Sequence, residues 1–137
     1  MVYSRMSKTH VFRLTKGSDL MFSIKDFCAK KNILAGTILC SVGCVDEAKI
    51  RCANGKDIIE LTEPLEIVSL NGTVSKERCH IHCAFSKVDL SVIGGHLCEG
   101  CLVNTTCELI ILELVDFRFG KEFDKSTGYN ELKIEHL

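Results

Sequence analysis

The stretch CHIHCAFSKVDLSVIGGH, Cys79–His96, decides how the chain folds. Cys79 to Phe85 and Ser91 to Ile93 read as strands, joined by Lys87–Val88–Asp89–Leu90. A parallel neighbour needs a crossover of about a dozen residues, so strands joined this closely run antiparallel. In an extended chain residues i and i+2 share a face, and His80 and His82 therefore project side by side. Folding the next strand back brings His96 within reach of them. Gly94 and Gly95, just before it, permit a close approach of backbones.

The same pattern continues outward in both directions. Asn54–Gly55 is a hairpin signal between runs containing Ile50 and Ile58. Gly36 to Val45 and Ala48 to Cys52 read as short strands, and Leu65 to Leu70 as another, ended by a turn at Asn71–Gly72. Val103 to Phe117 is the longest strand expected. The tail, Arg118 to Leu137, is polar at first and ends in a short edge strand at Glu131–Ile134. Towards the amino terminus, His10 to Leu14 makes a first strand. Gly17–Ser18–Asp19 then supplies a turn and the cap of a helix whose apolar stripe is Leu20, Ile24, Phe27 and Cys28, stopped by Asn32. Many strands, tight turns and one main helix near the N-terminus predict an α+β fold with a largely antiparallel sheet, one domain over residues 1–137.

Three imidazoles converging on one point suit Zn²⁺ or a similar first-row ion, with a fourth position left to water or a small molecule. The same residues also suit a hydrogen-bonded polar cluster satisfied by carboxylates. Glu66, Glu99 and Glu108 are the acidic candidates for a further ligand or a supporting partner, and spacing does not rank them. Cys98, two residues after His96, is a further candidate ligand. It also opens Cys98–Glu99–Gly100–Cys101, whose spacing suits a redox pair or half of a zinc site. A redox motif is expected to open a helix, and this one lies between a turn and a strand.

Nine cysteines cannot all pair within one chain. Without a secretory leader they are expected to be reduced, in the cytoplasm, with most of them filling the core. The longest apolar run near the carboxyl end, Leu109 to Leu112, is too short to span a membrane. The formal net charge is −1. Nucleic-acid affinity comes largely from lysines and arginines that displace counterions, and this composition does not favour a DNA partner. No phosphate loop or dinucleotide fingerprint is present.

Several segments together resemble the PPC (plants and prokaryotes conserved) domain. They are Thr9–Leu14 with Gly17–Leu20, Ile33–Gly36, Glu63–Gly72, His80–His82, Gly94–Leu97 and Thr127–Leu132. The resemblance is to the prokaryotic stand-alone type. It implies a homotrimer and a divalent-metal site, expected to hold zinc, at His80, His82 and His96. The plant relatives grip DNA through AT-hooks, and this chain has no Arg-Gly-Arg-Pro hook. A site that acts on or senses a small molecule is therefore the expected function. A DNA-binding regulator and a trimeric scaffold without chemistry are the alternatives.

Overall fold

Alternation of apolar and polar residues governs most of the strands, and their buried side chains define a single interior. In the computed structural model, residues 7–137 are described. The elements are β1 (Lys8–Thr15), α1 (Leu20–Lys30), β2 (Gly36–Arg51), β3 (Ile58–Val74), β4 (Cys79–Ser86), β5 (Val92–Leu97), β6 (Leu102–Glu113), β7 (Phe117–Asp124) and β8 (Tyr129–His136). Six strands form one antiparallel sheet in the order β1-β6-β2-β3-β4-β5. The far end of β2 also pairs with β5, through Ile50↔Leu97 and Arg51↔His96. Strands β2, β3, β4 and β5 are thereby closed into a ring, which removes the exposed edge of β5 over that span.

The helix forms as its stripe predicts. The Asp19 carboxylate accepts from the Phe22 amide at 2.9 Å, satisfying one orphan donor of the first turn. Asn32, at φ 52°, ends it in the left-handed region. Leu20, Met21, Ile24 and Cys28 are buried against the sheet. Each Leu or Ile so buried stabilises the fold by about 1.5–3 kcal/mol. Phe27 lies at the rim and stacks on Phe12 with ring centroids 3.9 Å apart. Phe85, Ile81, Leu65, Val45, Leu109 and Ile111 fill the centre.

Four elements differ from expectation. The two short runs after Gly36 are one strand, β2, and the break between them is a bulge at Val45–Glu47. Asn71–Gly72 is no turn: both residues lie inside β3, the longest strand at 17 residues. A Cβ on Gly72 would come within 2.2 Å of the His80 carbonyl oxygen, so this glycine serves close strand contact. β6 stops at Glu113, and Leu114–Asp116 turn the chain before β7. The tail is a complete hairpin, β7 with β8, and not an edge strand of the main sheet.

Four of the nine cysteines (Cys28, Cys83, Cys101 and Cys107) are buried, and all nine are free. Cys107 is core, as expected, whereas Cys40 and Cys52 are half-buried. Among the described residues, no helix is long and apolar enough to cross a membrane.

Asp19 also ties the helix to the β5–β6 turn, because its second carboxylate oxygen accepts from the Gly100 amide at 2.6 Å. Asp19→Ala is expected to lower stability by about 1–2 kcal/mol. In urea unfolding this appears as a lower midpoint with an unchanged slope; an unchanged midpoint would refute the role.

Candidate metal centre

The β4–β5 pairing sets His82 directly opposite His96. On the other side of β5, the short closing ladder sets Arg51 opposite His96. Directly opposed residues of an antiparallel pair point to one face, so Arg51, His96 and His82 form a row across three strands. His80 follows on the same face by the two-residue period of β4. Nitrogens of His80, His82 and His96 all lie within 4.8 Å of one another. Their ring centroids are 5.0, 5.1 and 5.8 Å apart.

Glycine makes this convergence possible. A Cβ on Gly95 would lie 2.7 Å from the Arg51 carbonyl oxygen and 2.7 Å from Ile50 Cγ2. A Cβ on Gly94 would lie 2.4 Å from the Cys83 carbonyl oxygen. The close backbone approach expected of the two glycines is present, and it lets β5 wedge between β4 and β2, a pairing that the sequence did not announce.

The imidazoles have few protein partners. His96 Nδ1 is buried with no hydrogen-bond partner. His80 Nδ1 lies 3.3 Å from an Arg78 guanidinium nitrogen. Burial, followed by the Arg51 charge, holds His96 down to about 4. Burial and then Arg78 lower His80, against an opposing pull from Glu131. Both rings are therefore neutral near pH 7, the form that offers a lone pair to a metal.

The other expected site residues lie elsewhere. Glu66 and Glu108 are exposed on β3 and β6, and Glu99 pairs with Lys25 at 3.0 Å. Cys98 directs its thiol at the His96 carbonyl oxygen and does not join the three-histidine group. Its neighbour in the Cys-x-x-Cys motif, Cys101, is fully buried, and burial pushes its thiol up to about 11. Such a thiol stays protonated and unreactive.

Residues that the motif reading passed over complete the site. A cavity of about 420 Å³ beside the histidines is lined by Arg51, Arg78, Tyr129, Asn130 and Glu131, among others. A second, of about 430 Å³, reaches His82 and His96 past Arg51. Arg78 lies two residues before His80, so the period that paired the histidines could have flagged it. The hairpin that delivers Tyr129–Glu131 is held by a bond from the Ser75 hydroxyl to the Phe119 carbonyl, 2.9 Å, and by one from the Phe119 amide to the Leu34 carbonyl, 2.9 Å.

The model of the Plants and Prokaryotes Conserved (PCC) domain matches residues 1–115. A hypothetical protein from Salmonella cholerae-suis is 30% identical, with a TM-score of 0.93 over 98% of this chain and 97% of that one. A metal-containing protein from Archaeoglobus fulgidus is 33% identical, with a TM-score of 0.77 over 97% and 99% of the two chains. The bifunctional protein GlmU of Synechococcus sp. strain JA-3-3Ab is 34% identical over 130 residues, which is 95% of this chain. The chain spans only 21% of that protein's length.

Gly95→Ala is expected to cost about 1–3 kcal/mol, because the added methyl meets backbone that cannot yield. Denaturant unfolding measures this, and wild-type stability in the variant would mean that β5 is not wedged in this way.

Proposed function

The chain belongs to the Plants and Prokaryotes Conserved domain family, and from that premise we propose that it is a metal-binding protein whose site handles a small molecule. The observation that carries this reading is the set of three imidazoles whose nitrogens lie within 4.8 Å of one another, with His96 Nδ1 buried and unpartnered. A polar cluster satisfied by carboxylates would leave no such orphan. The donor set fits a divalent ion, and Zn²⁺ is the ion that three imidazoles and one open position suit best. The relative from Archaeoglobus fulgidus, described as metal-containing, supports the same reading.

His80, His82 and His96 would hold the ion. When bound, it supplies a Lewis acid that can polarise a carbonyl or lower the pKa of a water. The protein supplies the rest. Arg51 and Arg78 keep the pocket positive, and Asn130 and Tyr129 offer polar atoms along its wall. Glu131 is the carboxylate in that lining, and Thr127 donates a hydrogen bond to it at 2.9 Å. It is placed to hold or move a proton beside the histidines. The two cavities that reach the histidines favour exchange with solvent over a purely structural ion.

Assembly as a homotrimer belongs to the same proposal. Val11 on β1, Leu39 and Val42 on β2 and Val68 on β3 are all more than half exposed. Apolar side chains at that density on one sheet support contact with further copies of the chain.

Two measurements test these statements. Untagged protein is expected to contain about one divalent ion per chain by elemental analysis. Changing all three histidines to Ala is expected to remove it, and unchanged metal content would sink the proposal. Light scattering is expected to give three times the 15.2 kDa chain mass, and Val42→Glu with Val68→Glu to reduce it. A monomeric wild type would refute the trimer.

A further inference from the structure

The charges around the three histidines do not balance. Arg51 and Arg78 both line the cavity beside them, and Glu131 is the one carboxylate in that lining among the described residues. Neither guanidinium has a carboxylate within ion-pair distance among the described residues. Arg51 Nε is buried with no hydrogen-bond partner, although an unmet donor on a cation costs more than a neutral one. Arg78 spends one of its nitrogens on His80 Nδ1, and the rest of its fork has no partner among the described residues.

A divalent ion in this row would add to the positive charge. Burying like charges together is costly unless an anion completes the set. Surface arginines often lie free because water solvates them. Arg51 is different, because its strand is locked between β3 and β5 and its Nε has lost water without gaining a partner. The guanidinium is a planar fork matched to a carboxylate or phosphate.

Resting on the reading of the histidines as a metal site, we infer that Arg51 and Arg78 form a receptor for the acidic group of a small anionic ligand seated over the three histidines. A cavity of about 420 Å³ fits a compact metabolite-sized molecule. The acidic group lies against the arginines, and the rest of the ligand extends towards Tyr129 and Asn130. The ligand's chemistry is that of an oxyanion, and carboxylate and phosphate both satisfy it.

Calorimetric titration at low ionic strength tests this with three probes. These are lactate, glycerol 2-phosphate and the neutral propane-1,2-diol. One or both acids are expected to bind, and the diol is not; which acid binds tells carboxylate from phosphate. Arg51→Gln and Arg78→Gln are each expected to weaken binding roughly tenfold or more, as loss of a charged hydrogen bond does, with metal content per chain unchanged. Arg78 sits in the turn before β4, so its variant still decides the matter if the β2 variant folds poorly. Acids that bind no better than the diol overturn the proposal, as do arginine variants that bind as tightly as wild type. Metal content read on the same samples tests the premise separately. Arginine-dependent binding to a metal-free wild type leaves the receptor standing and removes the metal reading.

Discussion

Two residue pairs, Ile50↔Leu97 and Arg51↔His96, close the sheet, and the site depends on them. Without that ladder β5 would be an edge strand, and His96 would have β4 on one side and solvent on the other. With it, β5 is held on both flanks. His96 is clamped between His82 and Arg51, and its Nδ1 is cut off from water. The orphaned nitrogen, the lowered pKa and the arginine with a dry Nε all follow from the same closure. Strand pairing here sets the electrostatics directly.

Such a closure makes demands on its surroundings. Three backbones meet around β5, and side chains at residues 94 and 95 would collide with neighbouring carbonyls. Glycine weakens a strand because it has more freedom to lose on folding. That cost is offset by the rigid packing on either side, with Ile81, Phe85 and Leu97 fully buried beneath the row. Helix α1 adds to that packing through Leu20, Ile24 and Cys28, and Asp19 fastens its start to the β5–β6 turn. The histidines therefore stand on a stiff floor, which is what a preorganised ligand set needs.

Much of this was legible in the chain because it is local. His80 and His82 are two apart in a strand, a four-residue joint turns the chain back, and two glycines precede His96. These facts bring three imidazoles together without knowledge of any other segment. The helix was equally readable from its period and its caps. What escaped was non-local. Arg51 enters through the β2–β5 ladder, whose partners are 45 or more residues apart in sequence, and no periodicity announces that pairing. Asn71–Gly72 misled for a related reason: the same dipeptide that favours a turn also suits close contact between strands, and only the β3–β4 register tells the two apart. The tail hairpin was half seen. Tyr129–Glu131 belongs to a segment that resembles the family pattern, yet its place in the cavity wall depends on Ser75 and Leu34 anchoring Phe119.

The acidic residues near the motif carry a similar lesson. Glu66, Glu99 and Glu108 were natural partners to consider for three histidines, because carboxylates commonly orient imidazole ligands. Glu66 and Glu108 are exposed, and Glu99 is paired with a lysine. The charged groups that line the cavity beside the histidines are two arginines, Arg51 and Arg78, against one carboxylate, Glu131. A carboxylate partner raises the basicity of an imidazole, whereas burial and then the charges of Arg51 and Arg78 lower it here. Rings of this kind are weaker bases and hold a proton less readily. The same positive field would make a bound ion more attractive to an anion than carboxylate-backed histidines would. On the proposed reading, the arginines would shift what the site selects, from a cation alone to a cation together with an acid.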